Sequence, residues 1–188
     1  METRKEQAMS EEQFELIRQQ SEEYVEYIEG ILYKFSSPSY DQQQVSLYLS
    51  TQLFAHFRKS ECGVAAAPFD VVLSAEGMDN QRVIPDLTVF CNKNGLGEGR
   101  KRFTGIPDFI VEILSPSNQQ HDLVTKMNLY AKYDIPEYWI INPLTHSLSI
   151  YTLEENGYYV QSIVEKHGTV QSFEFPDLVV DLDDMFDY

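Results

Sequence analysis

A chain of 188 residues, 43% of them hydrophobic, is long enough to bury a core and ordinary in composition for a globular protein. Its 30 Asp and Glu outnumber its 14 Lys and Arg, and the formal net charge of -16 argues against a broad electrostatic surface for nucleic acid. No apolar run approaches the length of a membrane span, METRKEQAMSEEQ lacks the apolar stretch of a signal peptide, and Cys62 and Cys91 are too few to suggest a disulfide framework or a zinc site, so a cytoplasmic protein is expected.

Residues 1–9 read as a loose tail and residues 10–188 as one domain. Ser10 with Gln13 starts a short helix to about Gln20, with Phe14 and Ile17 on one face. Residues 24–28 and 31–35 flank Glu29-Gly30 as a hairpin, followed by a loop over 36–39. Asp41 caps a helix reaching about Lys59, with Val45, Leu49, Leu53 and Phe57 in one stripe. Residues 64–73 are small and β-prone, broken at Pro68, and 76–81 form a turn. Residues 83–91 read as one strand, with Pro85 at its start or on an edge and with Asp86, Thr88 and Phe90 on one face. The glycine-rich loop 92–103 carries the dense basic cluster Lys93, Arg100, Lys101 and Arg102, which are candidate phosphate contacts unless the loop is simply a solvated one.

The stretch from Gly105 to Asn142 organises the chain. Residues 109–114 are an apolar strand broken by Glu112. Ser117 or Asn118 caps the next helix, with Gln120 completing a capping box after Ser117. That helix places Leu123, Met127, Tyr130 and Ala131 on one face and ends near Asp134, before Pro136. Residues 137–141 form a second strand, so the unit is a crossover in a mixed or parallel sheet. Residues 148–153, 158–164 and 171–175 read as an antiparallel meander with turns at Glu155-Asn156-Gly157 and Lys166-His167-Gly168. The class is α/β (α+β).

A carboxylate in a buried strand costs several kcal/mol unless it is paired, hydrogen-bonded or bound to a cation. Glu112 is such a group, and a satisfied structural carboxylate is its bland explanation. If Asp86 and Glu112 lie on neighbouring strands and face the same way, they suit a hard divalent cation, which takes one or two carboxylates plus water and phosphate oxygens. The phosphodiester-cleaving pattern PD…(D/E)xK sets a lysine two residues after the second acid. Leu114 occupies that position here, and Lys126 is the substitute. Asp122, Lys126 and Tyr130 share a helical face at i, i+4 and i+8, although Asp122 and Lys126 would also make an ordinary surface ion pair. His121 is expected to be exposed on the first helical turn, and Trp139 to belong to the core.

The order PDLTVFC, GIPDFIVEILSPS, D…K…Y and IPEYWIINP, preceded by YVEYIEGILYKFSSPS, resembles the Uma-type family of restriction endonucleases within the PD-(D/E)XK superfamily. The resemblance implies a restriction-endonuclease-like mixed β-sheet core flanked by helices, with additional antiparallel strands at the C-terminus. It implies Asp86 and Glu112 as metal-binding acids, Lys126 as a migrated catalytic lysine, and Glu26 as a further ligand or water-orienting group, with Asp122 and Tyr130 supporting the lysine. Asp108, in a second PD pair, reads as a residue at the start of the strand. The family usually has histidine where this chain has Gln42, and Asp where it has Glu29. The implied activity is endonucleolytic, on nucleic acid, chiefly DNA, with Mg²⁺ as cofactor and Mn²⁺ as a substitute. The alternative is a non-catalytic binding or regulatory module on the same fold, in the form of a homodimer. A two-carboxylate glycoside hydrolase is a weaker third reading that leaves Lys126 unexplained.

Overall fold

The computed structural model describes residues 9–20, 24–34, 37–115 and 120–188. In chain order its elements are α1 (Glu11–Gln20), β1 (Val25–Ile28), β2 (Ile31–Lys34), α2 (Tyr40–Phe57), β3 (Gly63–Ala66), β4 (Asp70–Leu73), β5 (Gln81–Val83) and β6 (Leu87–Phe90). Two 3₁₀ turns lead to β7 (Arg102–Gly105) and β8 (Phe109–Ile113). A π-helical turn, His121–Lys126, runs straight into α3 (Met127–Lys132). Then follow β9 (Glu137–Asn142), β10 (Ser147–Glu154), β11 (Gly157–Glu165), β12 (Thr169–Gln171), β13 (Val179–Asp181) and α4 (Leu182–Met185).

Two sheets carry the molecule. One has five strands in the order β2-β1-β5-β4-β7, the other six in the order β11-β10-β9-β8-β6-β3. β8 and β9 pair in parallel across the helical crossover, as the strand–helix–strand pattern predicts, while β6 and β8 are antiparallel. Alternation along the strands of the larger sheet sorts its side chains. Phe109, Val111, Ile113, Trp139 and Ile141 join the α2 stripe Val45, Leu49, Leu53 and Phe57 on one face. Ile110, Leu114, Tyr138 and Ile140 pack on the other face with Leu129, Tyr130 and Tyr133 of the crossover helix. Trp139 is in the core, edge-on to Phe109. No helix among the described residues is long and apolar enough to cross a membrane.

Local chemistry explains most boundaries. Ser10 and Gln13 bond reciprocally and start α1, which buries Phe14 and leaves Ile17 exposed. Glu29 and Gly30 both have positive φ, 50° and 84°, as a two-residue hairpin turn between β1 and β2 requires. The cap of α2 is Ser39 rather than Asp41: its hydroxyl accepts from the Gln42 amide, and the Gln42 side chain accepts from the Ser39 amide. Asp41 falls inside the first turn, where a carboxylate meets the helix dipole instead.

Four further expectations are corrected. The strand expected over 83–91 is two strands in different sheets, because Pro85 lacks an amide proton and the Ile84 amide donates to Glu26 rather than to a ladder. The third strand expected in the C-terminal meander, 171–175, does not pair with β11. The chain turns away there because the Phe173 and Glu174 amides and the Ser172 hydroxyl bind the buried Glu137 carboxylate, and β12 pairs with β13 instead. The crossover helix does not bury Leu123, which is exposed with Val124; its inward side is Asp122, Lys126, Leu129, Tyr130 and Tyr133. Finally, Cys62 and Cys91 form a disulfide, placed one position beyond the Gly63 and Phe90 pair of the β3–β6 ladder, a proximity invisible in two cysteines 29 residues apart. The Ser117 or Asn118 cap, and the tail up to residue 8, lie outside the described residues.

Candidate active site

The site sits where the two sheets and the crossover helix meet. On β1, Val25 and Tyr27 point to Phe14 of α1, and the alternate residue Glu26 points the other way, almost fully buried. On β8, Glu112 alternates with Val111 and Ile113 and faces the crossover helix. Extending the β6–β8 register, in which Leu87 pairs with Val111, brings Asp86 opposite Glu112. The two acids thus lie on adjacent segments of the sheet and on one face, as the PD…E pattern requires. They line a cleft of about 640 Å³ with Glu26, Tyr33, His121, Asp122 and Lys126.

Lys126 is the hub. Its Nζ lies 2.9 Å from Glu112 Oε1, 3.1 Å from Glu26 Oε1 and 3.4 Å from Asp122 Oδ1, and its side chain is 2% exposed. The surface ion pair considered for Asp122 and Lys126 is therefore a buried one. Tyr130 donates its hydroxyl proton to Glu112 Oε1 at 2.6 Å, and Tyr138 donates to the Asp122 carbonyl at 3.1 Å. Asp86 Oδ2 accepts from the Ile113 amide at 2.7 Å, and Glu26 Oε1 from the Ile84 amide at 2.8 Å.

Four carboxylates face one ammonium here, and the proton affinities follow. Burial raises the Glu112 carboxyl well above its ordinary range; Lys126 opposes this, while Asp122, Asp86 and Glu26 add to it. Burial likewise pushes Asp86 up to about 6, against the Ile113 amide and Lys126. Asp122 is raised by burial in spite of Lys126. Glu26 goes the other way: burial would raise it, but Lys126, His121 and the Ile84 amide together hold it below the usual range. Burial would strip Lys126 of its proton, yet Glu112, Glu26 and Asp122 outweigh it and keep the ammonium charged.

The donor set has consequences for a metal. Among the described residues no three His, Cys, Asp or Glu side chains form a ready-made cage. Zinc in a catalytic site asks for three such ligands, whereas Mg²⁺ is held by one or two carboxylates and keeps several waters. Asp86 and Glu112, all-oxygen donors in an anionic cleft, fit the second case.

His121 is the residue that sequence reasoning missed. It is not a solvent-facing histidine: its Nε2 is 2.9 Å from Glu26 Oε2, its side chain is 14% exposed, and its ring lies on Tyr33 with centroids 4.1 Å apart. Its Nδ1 is buried and has no hydrogen-bond partner among the described residues. The π-helical turn explains the surprise, since its wider winding brings neighbours in sequence to one side, and nothing in the sequence marks such a turn. The basic loop does not join the site. None of Lys93, Arg100, Lys101 or Arg102 lines the cleft, and the Arg102 guanidinium is instead 4.0 Å from Glu15. Asp108 serves the fold, accepting from the Cys91 amide at 2.6 Å. Gln42 reaches from α2 to donate to the Ile113 carbonyl at 3.1 Å, bracing the strand that carries Glu112.

Comparison with known proteins agrees with this architecture. An uncharacterized protein of Synechocystis sp., slr1290, is 24% identical over 150 residues, covering 79% of this chain and 76% of that protein. The fold matches a crystal structure from Anabaena variabilis described as "a putative nuclease belonging to DUF820", with a TM-score of 0.71, 17% identity, and coverage of 88% of this chain and 91% of that one. The model of the Uma2 family, "Putative restriction endonuclease", matches residues 11–183. With the match running from α1 into α4 and the acid–acid–lysine cluster inside it, the chain belongs to the Uma2 family.

Proposed function

We propose that the cleft hydrolyses phosphodiester bonds in nucleic acid, chiefly DNA, with Mg²⁺ (Mn²⁺ as a substitute) held by Asp86 and Glu112. The observation that carries this reading is the buried Lys126 ammonium, bonded to Glu112 and Glu26 in the same cleft as Asp86. A structural ion pair has no need of so many acids in one cleft; a site that must bind a cation and a phosphate does.

When bound, the cation lowers the proton affinity of water and offsets charge on the phosphoryl oxygens. The protein supplies the rest. Tyr130 fixes the Glu112 carboxylate by donating to one of its oxygens, and the Ile113 amide fixes Asp86. The Lys126 ammonium donates to Glu112 and lies near Glu26 and Asp122 as well, and of these three contacts the one to Asp122 is the longest. Asp122 is therefore the partner that yields when Lys126 turns to a phosphate oxygen or to the attacking water. As water attacks phosphorus and the P–O bond to the sugar breaks, the ammonium stabilises the negative charge that builds on the phosphoryl oxygens. Glu26, bridging Lys126 and His121, holds the ammonium in place.

The test is cleavage of labelled single- and double-stranded DNA and RNA at low salt, with Mg²⁺ or Mn²⁺ and with chelator. Glu112→Gln keeps the shape and the acceptor for Tyr130, so it should fold normally and lose activity by about a hundredfold or more. Lys126→Met should be as inactive. Metal-dependent cleavage lost in both variants supports the reading. Cleavage unchanged in either points to a contaminant and sinks it, and a folded protein inert on all substrates favours the non-catalytic module.

A further inference from the structure

Helix α2 has two apolar faces. Val45, Leu49, Leu53 and Phe57 are buried under the larger sheet. Tyr40, Leu47 and Phe54 form a second stripe on the outside, 68%, 64% and 63% exposed. Spaced by sevens, at 3.6 residues per turn they fall within about 40° of one another. The helix is also nearly uncharged. Its 18 residues include one formal charge, Asp41, in a chain that is 23% charged. A solvated helix face in so acidic a protein should carry carboxylates, and this one carries large apolar side chains.

We propose that this outer face of α2 is where a second copy of the chain docks, the two helices packing antiparallel about a two-fold axis near Ser50 and Thr51. Charge complementarity selects that occupant. Asp41 stands at the N-terminal end of the face, and exposed Arg58 and Lys59 follow its C-terminal end. Asp41 and Lys59 fall on the same flank of the stripe by helical rotation. An antiparallel two-fold sets Leu47 against the second copy's Phe54 and brings Asp41 of each chain beside the basic end of the other. The helix dipoles oppose favourably in the same arrangement. Two copies at -16 each repel, so close contact needs local compensation; the acid gathered at the N-terminal end of the stripe, where Tyr188 of the Asp-rich C-terminal segment packs on Tyr40 beside Asp41, is met in this arrangement by Arg58 and Lys59 of the second copy. Small Ser50 and Thr51 at the crossing allow close approach. Gln42, Gln43 and Ser46, which α2 contributes to the cleft, lie on the flank away from Asp41, so the two-fold leaves both clefts opening on the same side.

Sedimentation velocity over a wide concentration range tests this without reference to any cleavage activity. Wild type is expected at twice the 21.8 kDa of the chain. The Leu47→Glu/Phe54→Glu variant should sediment as a monomer with an unchanged circular dichroism spectrum, since both side chains are exposed. Lys59→Glu alone should weaken association by about tenfold, and adding Asp41→Lys should restore it. A wild type that stays monomeric throughout, or a dimer indifferent to the Leu47/Phe54 change, overturns the proposal. Failure of the charge swap to rescue overturns the antiparallel register.

Discussion

Asp86 shows how one buried carboxylate can oppose stability. Its carboxyl is pushed up to about 6 in the fold, against an ordinary 3.8. The folded state therefore binds this proton more tightly than the unfolded state. Stability from this group is complete below pH 4, declines as pH rises through 6, and stays lower above that by about 3 kcal/mol. Asp86→Asn keeps an oxygen for the Ile113 amide and removes the titration. In chelator, the variant should melt higher than wild type at pH 8, and the gap should close toward pH 4. Thermal melts at the two pH values decide it: no gain at pH 8 would mean that Asp86 is not destabilising the fold. Asp86 and Glu112 stood out in the sequence because Asp86 follows a proline at a strand start and Glu112 interrupts an apolar run, while Lys126 stood out only through the motif order, since Leu114 fills the usual lysine position. His121 was not. Its place depends on the winding of one helical turn and on a hairpin 95 residues away in sequence.

Among the elements, α2 and the crossover helix were read with unequal success, for a physical reason. The buried stripe of α2 is apolar, so periodicity reveals it. The inward side of the crossover helix carries Asp122 and Lys126 beside Tyr130, and an apolar rule, although it placed Tyr130 and Met127 correctly, also assigned Leu123 to that side, where it is exposed. Hydrophobic patterning fails where a helix faces a polar cleft. The start of α2 offers a sharper test. Ser39→Ala removes the capping box and should cost about 1 kcal/mol, whereas Asp41→Asn, which within one chain loses a dipole interaction and no capping bond, should cost a few tenths when measured at concentrations too low for association. Urea unfolding of both variants would check the ranking, and a larger loss at Asp41 would contradict the observed cap. The effect of Ser39→Ala should also reach the cleft, since Gln42 completes the box and braces the Ile113 carbonyl.

For the molecule as a whole, the excess of acid is not spread as a uniform shell. Four carboxylates converge around Lys126 in one cleft, and that cleft should be where a divalent cation acts on stability. Ligand that binds the folded state alone stabilises it by about 2.7 kcal/mol at a hundred times its Kd, which for a chain of this size raises Tm by several degrees. Mg²⁺ added to chelator-treated protein at pH 8 should produce such a rise, K⁺ at matched ionic strength should not, and Glu112→Gln should abolish it. An equal response to both salts would show general screening of the -16 charge rather than a site.

The class of the fold, the hairpin at Glu29-Gly30 and the crossover from β8 to β9 follow from local chemistry, each being written within a short window of residues, whereas Asp86, Glu112 and Lys126 were singled out together only by the order of several motifs along the chain. Turn residues, strand alternation and a proline before an acid act over a few positions, so a linear reading reaches them. What brought Glu26 and His121 to Lys126, divided residues 83–91 between two sheets, joined Cys62 to Cys91 and turned residues 172–174 onto Glu137 is contact between segments distant in the chain. Such contacts are set by strand register and by the satisfaction of buried charge, and both are properties of the packed whole.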